Sequence, residues 1–497
     1  MAVVVVTDPG SGNDIFSNLQ TAVNSLAANN DILIVPGTMR PNTGQIRTTK
    51  RFYVCTLVPA TATWVGFSND FLPSNPITLI NSAIWYRPES MSDSTLATGG
   101  GGSEPMAFFR FDDPAGSGTA VKYDYNTNLY KGPMVSDIEF RSKLPSLTGY
   151  TANGGPNPPS DNLSVAPDYG IYFNKSYNVT VTRCTFKYFG NAGIRYDHYN
   201  NAAGGVIYKN VFFHCAKGMD GLGLGYGIVI YGDNSDHNFS NWNPDPQYGS
   251  DNFLFIENND IRECRHGVAG GGMGRYVIRY NYFENNIITF YASNQTNDAH
   301  GRRNSGDGFF ATHTVEDYGN KIINTKYIDG TLIASNPTRT NAEDYLMERG
   351  IHLKEAMHLV YDNIISGCRM GIGEQLETVN VYNDGNTTYP QKCTFAASSA
   401  YFSKPMSHIN NNSVNLLNGN CYHLYNYQTL YAGVYNYYFY QNTDYTLNAG
   451  PFSYTGTGTA GTGTAYTYPH NLRDDLNPPI TGNPRRHWTR RTFHSGR

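Results

Sequence analysis

Apolar and polar residues alternate in short runs along much of the chain, and seven of these runs end alike. Each closes on a polar residue, usually Asn, then one free position, then Phe, Ile or Val. The copies are Val179-Thr-Val-Thr-Arg-Cys184-Thr-Phe186, Val206-Ile-Tyr-Lys-Asn210-Val-Phe212, Phe253-Leu-Phe-Ile-Glu-Asn-Asn259-Asp-Ile261, Tyr276-Val-Ile-Arg-Tyr-Asn281-Tyr-Phe283, Tyr318-Gly-Asn320-Lys-Ile322, His358-Leu-Val-Tyr-Asp-Asn363-Ile-Ile365 and His408-Ile-Asn-Asn-Asn412-Ser-Val414. Six of the seven place Asn two residues before the apolar anchor. Alternation such as Val179 and Val181 against Thr180 and Thr182 predicts half-buried strands. Successive anchors lie 26, 49, 22, 39, 43 and 49 residues apart, which fits a solenoid whose coils are interrupted by excursions of different length. An inward Asn at each bend can bond its own turn and the Asn of the next coil, roughly 4.8 Å away, so the coils should carry an amide ladder.

The ends have their own patterns. Leu19, Ala22, Val23 and Leu26 form a helical stripe within Phe16-Ser-Asn-Leu-Gln-Thr-Ala-Val-Asn-Ser-Leu26, and Asp31-Ile-Leu-Ile-Val-Pro-Gly37 reads as the strand after it. Residues 1–40 are therefore expected to form a cap and first strand, and 41–420 the solenoid, irregular up to 134 and regular from 135. Residues 421–497 would add a Tyr-dense segment, the Gly/Thr linker Thr455-Gly-Thr-Gly-Thr-Ala-Gly-Thr-Gly463 and a basic tail. In the Tyr-dense segment, Tyr435, Tyr437, Tyr438 and Tyr440 suggest a strand, either an oligomer contact or a satellite hairpin. Stretches 141–168, 232–251, 294–317 and 335–350 are expected to protrude, and long insertions on a rigid scaffold are where function concentrates.

The repeats, with Gly170-Ile-Tyr, Gly193-Ile-Arg and Gly227-Ile-Val opening neighbouring strands, resemble the right-handed parallel β-helix of pectate-lyase-like proteins. The helix-then-strand opening is similar to the start of that family. Tyr466-Thr-Tyr-Pro-His-Asn-Leu472 and Asp298-Ala-His-Gly301 resemble segments of some members. The resemblance implies an all-β fold: a single-stranded right-handed parallel β-helix with an N-terminal capping helix and protruding loops. It spans nearly the whole chain at the level of fold. No enzyme family's full catalytic signature is present, so no activity is carried over.

Composition narrows the functional classes. Only 15% of residues are charged, the net charge is −4, and no basic stripe runs through the repeats, so nucleic acid is an unlikely partner. The exception, Arg485-Arg486-His-Trp488-Thr-Arg490-Arg491, reads as a basic end or a docking strand. No stretch approaches 18 apolar residues, so no membrane span is expected. Seven irregularly spaced cysteines without a CxxC motif argue against a disulfide framework or zinc site, and Cys184, in an Asn position, reads as a core thiol. The run after Met1 is too short for a signal peptide and lacks a charged lead. This implies a trimmed signal or synthesis in the cytosol, and the latter brings bacteriophage tailspikes to mind.

The strongest chemical constellation is Asp298, His300, Arg302, Arg303 and Asp307, continuing to His313, Glu316 and Asp317. β-Elimination of a uronate needs a cation against the carboxylate and a base for the C5 proton, for which His300, Arg302 and Arg303 are candidates. Hydrolysis needs two carboxylates, drawn from Asp298, Asp307, Glu316 and Asp317. His352 and Lys354 share one strand face and could join them, while Arg275 and Arg279 are read as lying off an inward face that holds Val277. Acids and arginines pairing only to hold the loop remain an equally open reading. For glycan contact, Tyr196, Asp197, His198 and Tyr199, and Trp242 and Tyr248 in a loop with Asn234, His237 and Phe239, combine rings that pack on sugar C–H faces with groups that bond hydroxyls. Asp233, Asp236, Asp245 and Asp251 could hold Ca2+, although their spacing fits no calcium loop; no other metal or cofactor is expected.

These features lead to a protein that recognises a polysaccharide or cell-surface glycan, as a virion tailspike or tail-fibre-type receptor-binding protein, with depolymerase activity as an option. A secreted polysaccharide lyase and a structural virion or fibre protein are the alternatives. The tailspike likeness implies a homotrimer, contact with other virion components, and a virion or extracellular location.

Overall fold

The computed structural model describes residues 2–284 apart from 27–30, 65–75, 99–103, 113–131, 144–166, 177, 199–203, 216–224, 233–252 and 273, and further strands between 295 and 455. Beyond Glu284 it describes side chains at Asn297, Thr312, 314–323, 350–352, Val360 and 363–365. Among the described residues, three long parallel sheets form the body of the molecule, beside three two-stranded antiparallel pairs. Sheet 1 has twelve strands, from Val3–Val5 to Tyr437–Tyr440. Sheet 2 has eleven, from Met39–Pro41 to Thr443–Asp444, and sheet 3 has eleven, from Ile46–Thr48 to Ser453–Thr455. The chain visits them in turn. Val179–Thr182 lies in sheet 1, Thr185–Lys187 in sheet 2, Ala192–Asp197 in sheet 3, and Gly205–Tyr208 returns to sheet 1 beside Val179–Thr182. This is a parallel β-helix, as the repeats predict. Its sheets take in strands of the 41–134 stretch and run into the Tyr-dense segment, where Tyr437–Tyr440 pairs with Ser407–Asn410.

The anchors fall in one row: Phe140, Phe186, Phe212, Ile261, Phe283, Ile322, Ile365 and Val414 stand opposite one another on successive coils of sheet 2. Phe140, Phe186 and Phe212 stack face to face, with centroids 5.4 and 4.9 Å apart. At the preceding corner the Asn residues form the ladder. Asn259 Oδ1 accepts from the backbone N–H (3.0 Å) and Nδ2 (3.1 Å) of Asn210, Asn281 does the same for Asn259, Asn320 for Asn281 and Asn363 for Asn320. Each Nδ2 also donates to a carbonyl of the sheet 1 strand one coil earlier, such as Ile256 O for Asn281 at 2.9 Å. All five amides are fully buried. Cys184 ends the row and donates its N–H to Asn210 Oδ1. The turn has a cost the sequence pattern does not display. Arg183, Lys209, Asn258 and Tyr280, each just before a ladder residue, take left-handed φ between 51° and 58°, a strained region that burial and the ladder must offset.

The glycines opening the sheet 3 strands also have a steric reason. A Cβ on Gly193 would lie 2.9 Å from Gly227 O, and one on Gly227 would lie 2.5 Å from Gly267 O, so the stack closes only without side chains. The expected helix spans Phe16–Ser25 and buries Leu19, Ala22 and Val23 on the core, with Leu26 buried just after it. Lys50 Nζ donates to the carbonyls of Val23, Asn24 and Leu26, satisfying the helix's C-terminal orphans with a cation. Ile32–Val35 is the strand expected after it.

Candidate functional site

Strand alternation in sheet 3 sends Ile171, Phe173, Ile194, Ile228 and Ile230 into the core, and Tyr172, Asn174, Arg195 and Asp197 to the outer face. On that face, parallel register builds rows. One runs Arg47, Arg110, Tyr172, Arg195, Val229, Ala269, and a second Asp112, Asn174, Asp197, Tyr231, Gly271. Tyr169, Tyr172, Tyr226, Val229 and neighbouring alanines form an apolar layer on this face, separate from the core.

Arg195 is the hub. Its guanidinium lies 4.5 Å from the centroid of Tyr172, 5.4 Å from Tyr231 and 5.7 Å from Tyr169, and binds Asp197 through Nε (3.0 Å) and Nη2 (2.9 Å). Asp197 also accepts the Tyr172 hydroxyl at 2.7 Å. The Arg195 side chain remains 20% exposed and Asp197 14%, so a ligand can reach both. Two coils earlier, on the other side of Tyr172, the arrangement repeats with Arg110 over Tyr172 at 4.6 Å, Arg110 Nε on Asp112 at 2.9 Å, and Asn174 Nδ2 on Asp112 at 2.7 Å. Burial works to raise the Asp112 carboxyl, but bonds from Asn174, Arg110 and Arg47 outweigh it and hold the group below its ordinary value. For Arg195 burial works to lower the guanidinium, yet Asp197 and the tyrosines keep it well above the usual range, so it stays charged. Arginines and acids thus alternate in near balance: Arg47, Arg110 and Arg195 against Glu104, Asp112 and Asp197.

Among the described residues proposed from sequence for glycan contact, Asp197 is on this face and Tyr196 and His198 are not. Tyr196 points the other way by alternation. It is fully buried in the core against Phe173, its hydroxyl donating to Gly204 O at 3.2 Å, which leaves no ring face for a sugar. His198 is fully buried beside it. Tyr199, Trp242 and Tyr248 lie outside the described residues, as do His300, Arg302, Arg303, Asp307, His313 and the four aspartates considered for Ca2+. Among the described residues no group of three or more His, Cys, Asp or Glu could hold a metal ion, and no helix is long and apolar enough to cross a membrane.

Of the proposed catalytic residues, Asp298, His352 and Lys354 fall on strands of sheet 3. Asp298 continues the Arg195 row, opposite Ala269 on one side and His352 on the other. His352 is fully buried; Lys354 is two positions along the same strand. Glu316 and Asp317, by contrast, are in a strand of sheet 1 and cannot form a carboxylate pair, because neighbours in a strand face opposite ways. Asp317 occupies an interior position between Ile278 and Val360, accepting from Asn297 Nδ2 (2.7 Å) and Asn320 Nδ2 (2.8 Å). Burial pushes its carboxyl up to about 7 despite those two bonds. The assignment of Val277 to the inward face is also corrected. Tyr276 and Ile278 enter the core, so Arg275, Val277 and Arg279 share the outward side. Arg279 is no solvent-facing charge, since it is buried and its Nε donates to Glu257 at 2.6 Å.

The residues missed from sequence, Tyr172, Arg195 and their partners Arg110 and Tyr231, had a local signal. The position after Ile in Gly170-Ile-Tyr, Gly193-Ile-Arg and Gly227-Ile-Val is the outward one.

Neither a protein-family model nor a curated protein sequence matches the chain. Solved structures do. PfbA, a surface adhesin of Streptococcus pneumoniae, is 12% identical with a TM-score of 0.43, covering 93% of each chain. A mannuronic acid specific polysaccharide family 6 lyase from human gut microbiota is 12% identical with a TM-score of 0.36, covering 87% of each chain. Bacteriophage CBA120 tailspike protein 3 is 10% identical with a TM-score of 0.31, over 93% of this chain. The chain spans 62% of the length of that tailspike, and also 62% of Geobacillus virus E2 ORF18. The three sheets establish the parallel β-helix by their own topology.

Proposed function

We propose that the protein binds a polysaccharide along the outer face of sheet 3, as a tailspike or tail-fibre-type receptor-binding protein. The carrying observation is the pair of partly exposed rows in which Arg110 and Arg195 flank the Tyr172 ring and Asp112, Asn174 and Asp197 follow one another on three coils. A glycan offers vicinal hydroxyls, each donor and acceptor, and apolar C–H faces; paired Arg and Asp groups serve the first and rings such as Tyr231 the second. The near balance of charge suits a hydroxyl-rich chain better than a densely anionic one. The virion setting and a trimeric assembly rest on the sequence resemblance. Screening the full chain against capsular and cell-surface polysaccharides tests the reading. Binding to at least one glycan, weakened about tenfold or more by Arg195→Gln, is expected, a loss of about 1.4 kcal/mol. Failure to bind across the panel, or binding that ignores Arg195→Gln, would reject it and leave a structural virion or fibre protein.

Cleavage is the second reading, favoured by the register that sets Asp298 on the Arg195 row next to His352. Product release from a bound glycan, abolished by Asp298→Asn with binding retained, would support it; new absorbance near ~235 nm marks a lyase and new reducing ends alone a hydrolase.

A further inference from the structure

At the corner leading from sheet 2 to sheet 3, successive coils turn alike. Tyr188, His214 and Glu263 adopt left-handed φ of 67°, 54° and 54°, and the residues that follow, Phe189, Cys215 and Cys264, are fully buried in the core. Register carries through this turn. Phe213 stands opposite Arg262, His214 N–H donates to Arg262 O at 3.0 Å, and Arg265 N–H donates to Cys215 O at 3.2 Å. Cys215 and Cys264 therefore face each other on adjacent coils, although 49 residues separate them in sequence. Their side chains run in parallel. Each Sγ lies near the carbonyl two residues earlier, Cys215 at 4.0 Å from Phe213 O and Cys264 at 3.5 Å from Arg262 O, and the two thiols meet in a side-chain hydrogen bond. Neighbouring strands are about 4.8 Å apart, inside the roughly 4.4–6.8 Å Cα separation that a disulfide spans.

We propose that Cys215 and Cys264, not joined by a disulfide in this structure, are a redox-sensitive pair that closes into an intercoil disulfide in the presence of a disulfide oxidant such as oxidised glutathione. One thiolate attacks the glutathione disulfide, forming a mixed disulfide and releasing one reduced glutathione. The second thiolate displaces the other glutathione. The two cysteines lose two electrons and two protons, and oxidised glutathione takes them up as two thiols. Burial raises the Cys264 thiol well above its ordinary value, so little thiolate is available in the folded chain and closure belongs to folding under oxidising conditions. The closed loop contains the Tyr226–Tyr231 strand, so the bond would tie the coil of Val211–Phe213 to that of Asp260–Arg262. Cys184 serves as an internal control: it lies at the Asn corner, its thiol directed to the carbonyls of Val135 and Thr182.

The test is to unfold the reduced full chain, refold it in a glutathione redox buffer, and map cysteine-containing peptides without reduction. A linked Cys215–Cys264 peptide is expected, with a mass about 2 Da below the sum of the two reduced peptides for the two hydrogens lost. The thermal midpoint should rise by several degrees over dithiothreitol-treated protein, a rise that Cys215→Ser and Cys264→Ser each remove and Cys184→Ser leaves in place. Refolded chain in which both cysteines remain free or carry glutathione, or in which either pairs with another cysteine, overturns the proposal. The peptide map uses the unmutated chain, so a variant that fails to fold does not blunt it.

Discussion

The Asn corner and the outer face of sheet 3 are built from the same device, a row of side chains repeated at the spacing of one coil, and they use it for opposite ends. At the corner the rungs are identical, fully buried and mutually saturated: each interior amide accepts from the coil before and donates to the coil after. On sheet 3 the rungs differ from coil to coil, Arg110, Tyr172 and Arg195 in one row and Asp112, Asn174 and Asp197 in the next, and the charged ones retain some contact with solvent around the buried Tyr172. Uniform buried rungs leave nothing for a ligand, but their loss exposes several unpaired groups at once. Varied, partly exposed rungs contribute less to folding and keep donors and acceptors on offer.

Breaking the ladder should have the largest effect. Asn281→Ala removes an acceptor used by Asn259 N–H and Nδ2 and a donor to Ile256 O and Asn320 Oδ1, all buried. A loss of about 3–5 kcal/mol is expected in denaturant titrations, with glycan binding by the remaining folded fraction unchanged.

Asp317 interrupts the contrast, an acid among interior positions beside the ladder. Its folded value of about 7 lies above the ordinary 3.8, so between those values the folded chain holds a proton that the unfolded chain has released. Its stabilising contribution is complete below pH 4 and is lost as pH rises through about 7. Thermal midpoints should fall from pH 5 to pH 8, and Asp317→Asn should flatten much of that slope, by up to about 4 kcal/mol at pH 8. An unchanged slope in the variant would show that the carboxyl does not titrate in this range.

On the recognition face the balance reverses. Arg195→Gln should weaken glycan binding about tenfold, while costing about 1–2 kcal/mol of stability through lost ring and Asp197 contacts, read in parallel binding and melting experiments. The smallest effect is expected from Arg47→Ala. Its side chain is 63% exposed and tied only at the rim to Asp112, so stability should move by no more than about 0.5 kcal/mol.

Much of the scaffold was legible because its signals are local. The two-residue offset from Asn to anchor gave the ladder and the Phe186-to-Val414 row, and the Leu19, Ala22, Val23, Leu26 stripe gave the cap. Coils before residue 135 were harder to read, since Asp137 stands one position before the anchor pattern and Trp85 replaces Phe in its row. The site was less legible. Tyr196 and His198 were grouped with Asp197 by chemistry although alternation separates them, and Glu316 and Asp317 were taken as a loop pair although they occupy one strand.

The sequence by itself determined the strands, their inward and outward faces, and the corner at which Asn would stack, because each depends on residues within a few positions of one another. Tertiary structure decided the rest: that Tyr172 meets Asp197 across 25 residues, that Cys215 meets Cys264 across 49, and that Asp317 is sealed against Asn297. Coils of unequal length set which residues become neighbours on adjacent turns, and that register is fixed only when the whole stack of sheets closes on its core.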